Sequence, residues 1–186
     1  MENSKVIDYR ALKLEDVYTF KNWGKHDSIL YLDYNFCEDS KEEMKEWYDW
    51  KTSSPLSKYF AVMLNDKVIG FVSIKKVNRI NKSGTLGIVL DPNYINMGIG
   101  ESILKKFFKD LKDVGFRKII LYVAAFNKRA INLYTKLGFR KVSKKLMPFT
   151  NGKLSEDDPE FIENRDSFKI ILNKPFFYAY KMKLYL

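Results

Sequence analysis

The sequence predicts an α/β fold, and three observations carry the prediction. Apolar residues recur with period two in some stretches and with helical spacing in others, and the two kinds of stretch interleave along the chain. Two consecutive strand-like runs, Tyr59–Leu64 and Lys67–Ile74, flank Asn65-Asp66, which is a hairpin signal. Leu86 to Gly100 reads as strand, turn and glycine loop, and it opens a long amphipathic helix.

Taken in order, Lys5 to Leu12 alternates through Val6, Ile7, Tyr9 and Ala11 as a first strand. Leu14 to Trp23 reads as a helix with a stripe of Leu14, Val17, Tyr18 and Phe20, stopped at Gly24. His26 to Phe36 is aromatic and has no clear period. A second helix spans about Ser40 to Lys51, with Asp39 or Ser40 as its N-cap and Glu42 and Glu43 in its first turn. The hairpin follows, then a polar loop from Asn78 to Gly84. Gly87-Ile-Val-Leu90 is a short apolar strand, and Asp91-Pro92 ends it because Pro92 has no N–H for a ladder. Beyond Gly98 and Gly100, Ile99, Ile103, Leu104, Phe107, Phe108, Leu111 and Val114 form one helical face, and Gly115 stops the helix. Lys118 to Ala125 is a buried strand. Asn127 caps a short helix to Leu137, ended by Gly138, and Phe139 to Leu146 is another strand. From Met147 to Pro175 the pattern weakens, except for a short helix with Asp158 as N-cap and Pro159 at its first position. Phe176 to Leu186 closes the chain as a strand.

The loop before the third long helix carries the chemistry. A helix start exposes N–H groups that have no partner within the helix, and the helix dipole adds positive charge there. Glycines let a diphosphate approach such a backbone closely. Met97-Gly-Ile-Gly100 matches neither the Walker loop nor the dinucleotide fingerprint. Taken alone, it also fits a plain strand-to-helix turn.

Composition narrows the classes. The 186 residues suit one domain, 1–186, with a real core; 46% are hydrophobic and 16% aromatic, which excludes a disordered chain. No run of about 18 apolar residues suggests a membrane span, and Met1 to Lys5 shows no apolar leader. Cys37 is the single cysteine, so no internal disulfide forms, and the expected setting is the cytoplasm. The net charge of +10 invites a nucleic-acid reading, but the lysines are spread over the whole chain. The same charge would help hold an anionic ligand. No His, Cys and carboxylate cluster suggests a metal.

Two blocks, Val89-Leu-Asp-Pro-Asn-Tyr-Ile-Asn-Met-Gly-Ile-Gly100 and Asn127-Lys-Arg-Ala-Ile-Asn-Leu-Tyr-Thr-Lys-Leu-Gly-Phe139, together with the element order, resemble the GCN5-related N-acetyltransferase (GNAT) family. The second block and Pro148-Phe-Thr-Asn-Gly152 look most like its ribosomal-protein alanine acetyltransferase branch. The resemblance implies a mixed, mostly antiparallel seven-stranded sheet with helices on both faces. It implies a V-shaped slot between the strands at 87–90 and 118–125, and a bulge in the first of them. It implies acetyl-CoA as acyl donor and a primary amine as acceptor; a monomer or a homodimer is expected. Ile88, Val89 and Leu90 would pair with the pantetheine arm, and the amides of Asn96, Met97, Gly98, Ile99, Gly100 and Glu101 would hold the pyrophosphate. Asn127 would reach the donor, and Arg129 or Lys136 would meet the adenosine phosphates. Tyr134 matches the family tyrosine that protonates the leaving thiolate. Its alternative is one more packed aromatic.

Three positions depart from the family pattern. Ile95 stands where Gln or Arg usually opens the glycine motif. Tyr122 stands where the alanine acetyltransferase branch has Glu, and another common family position, on the central strand near Thr85, also lacks a carboxylate. No general base is therefore in view, which argues against a ribosomal substrate more than against acetyl transfer. A rival reading is a non-catalytic acyl-CoA-binding module that lost its base. His26 is a candidate base or a packed ring, Glu101 is expected to point to solvent, and Cys37 is expected to be buried or inert. The acids Glu156, Asp157, Asp158, Glu160, Glu163 and Asp166 would attract a cationic acceptor or simply form a solvated helix start.

Overall fold

The computed structural model describes residues 6–152 and 154–186. Residues 1–5, read above for a leader and for the head of the first strand, lie outside them, as does Lys153. The chain divides into two compact units. The first runs to Lys25, resumes at Phe36–Ile119 and includes Leu186; the second comprises His26–Asn35 and Ile120–Tyr185. Among the described residues no helix is long and apolar enough to cross a membrane.

In the first unit, β1 (Ile7–Ala11), β2 (Lys58–Leu64), β3 (Lys67–Asn78) and β4 (Ser83–Leu90) pair antiparallel in that order. Two irregularities shape β3. Against β2 the register shifts between Val62 and Met63, which leaves Ile69 as the extra residue. Against β4 it shifts between Lys75 and Asn78, where Lys76 takes a φ of 51°. From Thr85 to Leu90, β4 pairs with β3 without a break, so toward this neighbour the irregularity sits on β3.

Helix α1 is short, Leu14–Val17, and a 3-10 turn at Phe20–Asn22 replaces the rest of the expected helix. The Thr19 hydroxyl donates to the Asp16 carbonyl at 2.7 Å, which competes with helix continuation. Buried Asp16 accepts from Arg10 through both oxygens, at 2.6 and 2.7 Å, and from the Lys13 N–H. Helix α2 (Lys41–Thr52) starts with a capping box: Ser40 accepts from the Glu43 N–H, and Glu43 accepts from the Ser40 N–H. Helix α3 (Ile99–Asp113) buries Ile99, Ile103, Leu104, Phe107, Phe108 and Leu111, as its stripe predicts. Val114, just past its end, is 74% exposed. Tyr9 of β1 packs edge-on against Phe60 and Phe107 and donates its hydroxyl to Asp110 of α3.

In the second unit, β8 (Lys174–Tyr185) lies between β5 (Lys118–Ala124, its first two residues in the first unit) and β6 (Arg140–Pro148). Helix α4 (Lys128–Lys136) follows β5, and Gly138 turns the chain at φ 90°. Helix α5 (Pro159–Glu163) has Asp158 as its cap and Pro159 at its start, as expected. An eighth strand, β7 (Phe168–Ile171), pairs with β8 and was not expected from the sequence. Its turn runs through Leu172 and Asn173 at φ 49° and 58°. A leucine there gives no turn signal. Leu30, Phe126, Phe149, Phe161 and Phe168 form the core of this unit, with Phe126 stacked on Phe168 at 5.5 Å.

Candidate active site

The first unit holds the strand end and loop read above as the donor site. Val72, Phe71 and Gly70 of β3 stand opposite Ile88, Val89 and Leu90, all three of which are half-buried. The Asp91 N–H donates to the Ile69 carbonyl at 2.8 Å and closes the pairing. Asp91 is completely buried, a feature the sequence reading missed. Its Oδ1 accepts from the N–H groups of Gly24 and Asn93 at 2.9 and 3.0 Å, so one carboxylate ties the end of the α1 segment to the start of the loop.

The loop is open. Asn96, Met97 and Gly98 are exposed, with Asn96 and Gly98 at φ 62° and 75°. A Cβ on Gly98 would meet nothing within 4 Å. Gly98 is also the N-cap of α3 and offers no side chain to the helix start, whose first internal bond runs from Ser102 N–H to Gly98 O. This arrangement fits a diphosphate. Glu101 does not extend freely into solvent: it pairs with Lys105 at 2.7 Å within the helix. Ile95, where a polar residue was missed, is half-buried.

The second unit holds the tyrosine. Asn127 is buried and caps α4, accepting from the Ala130 N–H at 3.1 Å. Tyr134 lies seven residues on, two helical turns, so it shares a helix side with Asn127. Its ring packs against Phe139 at 5.8 Å. Burial, and then the neighbouring Tyr34, push its hydroxyl far above the usual phenol range. The Tyr34 hydroxyl bonds the Asn127 side chain, and burial outweighs that bond to raise its pKa too. Asn127 is thus engaged at both polar ends, and Tyr34 joins the site unannounced by the sequence. Lys128 and Arg129 are exposed in the first turn of α4, which holds no acid; Lys136 is exposed at its end.

His26 sits between aromatic rings, 5.6 Å from Tyr31 and 6.3 Å from Tyr34. Its backbone is clamped by the Asn35 side chain, which accepts its N–H at 2.7 Å and donates to its carbonyl at 3.0 Å. Burial first, and Arg129 second, lower its pKa below 6.5. As the single histidine it is readable by NMR. Its titration midpoint is expected below 6.5 and should rise in Arg129→Gln, whereas a midpoint above 6.5 would contradict this environment. Because the unfolded chain binds that proton more readily, this contribution to stability is present above pH 6.5 and lost as pH falls.

The remaining candidates fall elsewhere. Tyr122 is exposed under the Lys145 ammonium, 4.7 Å from its ring centre. Cys37 is exposed, not buried, and lines an open cavity of about 390 Å³ with Glu38, Glu43, Glu46, Trp47 and Trp50. Among the acids of 156–166, Asp158 caps α5, and Glu160 accepts the Ile29 N–H at 3.1 Å.

The family model of the acetyltransferase (GNAT) family matches residues 26–139, which span the open loop and the tyrosine helix. The chain belongs to this family. It is an N-acetyltransferase that uses acetyl-CoA as donor and an amine as acceptor. The spermidine N(1)-acetyltransferase of Vibrio cholerae is 25% identical over 135 residues, covering 72% of this chain and 78% of its own. The ribosomal protein bS18 alanine N-acetyltransferase of Escherichia coli is 29% identical over 96 residues, covering 50% of this chain and 64% of its own. The likeness therefore extends further along this acetyltransferase for the spermidine enzyme than for the ribosomal one. A crystal structure of the Vibrio cholerae spermidine enzyme with CoA and spermine shares the fold, with a TM-score of 0.71 and 20% identity over 96% of this chain and 95% of that one.

Proposed function

We propose that this enzyme acetylates a primary amine by direct attack, with Tyr134 as general acid. The observation that carries the reading is a tyrosine packed against Phe139, two helical turns along the helix whose cap is Asn127. The neutral amine adds to the thioester carbonyl, the C–S bond breaks, and the Tyr134 hydroxyl gives its proton to the departing thiolate. No carboxylate stands at Tyr122 or near Thr85, so the amine's surplus proton passes to solvent, which returns one to the Tyr134 oxygen. Ile88, Val89 and Leu90 would pair with the pantetheine arm, the amides of residues 96–101 would hold the pyrophosphate, and Arg129 would meet the adenosine phosphates. Asn127 would act mainly through its cap, which sets the start of α4. The two units would act as one acetyltransferase domain, monomeric or dimeric, in the cytoplasm where its donor is made.

Spermidine, the acceptor in the relatives' names, is not carried over. The acid cluster that would attract it is partly committed to a helix cap and to the Ile29 backbone. The test is CoA release from acetyl-CoA over a panel of primary amines, with the acetyl amide identified by mass. Amine-dependent release is expected. A protein that binds acetyl-CoA and releases no CoA with any amine would be a binding module instead.

A further inference from the structure

The face of β3 and β4 that packs on α2 carries an unusual pair of cations. Ser73 stands opposite Gly87 and Lys75 opposite Thr85, so these four side-chain positions share one face. Phe71 and Val89, two residues further along, belong to the same face and pack in the cluster of Phe20, Trp23 and Met44. Lys75 Nζ lies 3.4 Å, and Ser73 Oγ 2.7 Å, from the point where a Cβ on Gly87 would stand. Both groups therefore bear on the same bare stretch of β4, next to Ile88.

Lys51 lies in the last turn of α2 and feels the charge of Lys75. Its ammonium lies 3.9 Å from the Trp50 ring centre and 5.3 Å from that of Trp47. Lys51 and Lys75 are both half-buried. Burial lowers the pKa of each; Lys75 then lowers that of Lys51, which Glu38 opposes, and Lys76 lowers that of Lys75, which no acid opposes. Among the described residues neither lysine forms an ion pair. Glu38 compensates Lys51 in part, but Lys75 is a partly desolvated cation that no acid opposes; an anion beside it removes that cost.

We propose that Lys51 and Lys75 form a binding site for an anionic group carried by the amine acceptor, a carboxylate or a phosphate. This rests on the acetyl-transfer reading and names the acceptor class it left open. A polycation is disfavoured at the same place. The indole faces that would hold an ammonium already hold that of Lys51. Glu43, in the nearby cavity, is engaged by the N–H groups of Asp39 and Ser40.

The test is calorimetric binding to the protein saturated with CoA, where no turnover occurs. The probes are 4-aminobutanoate against butylamine, O-phosphoethanolamine against ethanolamine, and spermidine. Each acid-bearing amine is expected to bind at least about tenfold more tightly than its partner, the scale of one charge-assisted hydrogen bond. Which of the two acids gains more tells carboxylate from phosphate. Lys75→Met and Lys51→Met, which keep the apolar stems, should each remove most of that preference and leave CoA affinity unchanged; Lys75→Arg should retain it. Tighter binding of butylamine or spermidine, an undiminished preference in both Met variants, or a loss of CoA affinity in them would overturn the site. Because binding is read without turnover, failure of every amine to be acetylated would count against the transfer chemistry and leave this result standing.

Discussion

Tyr134→Phe is expected to lower kcat by about 10²–10⁴-fold, the usual contribution of a positioned acid, with the KM for acetyl-CoA little changed. The substitution removes one oxygen and keeps the ring against Phe139, so the melting temperature should stay close to that of the parent. The loss should appear equally in kcat and kcat/KM, because the proton is shared only as the C–S bond breaks. Acyl donors with better leaving groups should be less affected, since they need the acid less. Undiminished turnover in Tyr134→Phe would remove the acid assignment and leave Tyr134 as a packing residue.

Gly70→Ala should give the largest loss of stability among small substitutions. Gly70 follows the extra residue Ile69 in β3 and stands opposite Leu90 of β4. A Cβ there would stand 2.5 Å from the Val89 carbonyl and 2.6 Å from a Leu90 methyl. The methyl can turn aside, but the carbonyl can move only with the strand. The cost of such overpacking is about 1–3 kcal/mol, which for a chain of this size lowers the melting temperature by about 3–10 °C. Because Val89 and Leu90 are the proposed seat of the pantetheine arm, the KM for acetyl-CoA should rise with it. Gly84→Ala is the control: its Cβ would meet the Ile74 side chain at 2.6 Å, which can change rotamer, so the loss should be smaller. Equal melting temperatures for Gly70→Ala and its parent would show that β4 yields at no cost.

Much of the fold was legible because it follows from local chemistry. The stripe of α3 from Ile99 to Leu111, the start of α2 at Ser40, one of its two candidate caps, and the Asp158-Pro159 start of α5 are written in consecutive residues and formed where expected. Strand β7 was not legible. Its four residues are too few to show a period, and its turn places Leu172 at a positive φ that tertiary context alone enforces. The site divides the same way. Tyr134 and the glycine loop lie within contiguous blocks. Asp91, Tyr34 and Lys75 become noticeable only through burial, a partner on another element, or strand register, and a single sequence fixes none of these.

The phenylalanine core of the second unit has a bearing on engineering. Leu30, from the stretch His26 to Phe36, and Phe149, Phe161 and Phe168, from the stretch Met147 to Pro175, form the interior of that unit. Ile29 is pinned between them, its N–H to Glu160 and its carbonyl to Asn151 at 3.1 Å each. Neither stretch is therefore a surface loop that can be exchanged as a unit. Grafting either stretch from a homologue would leave voids around Phe126, so new specificity should come more readily from point changes on polar surface positions than from segment exchange.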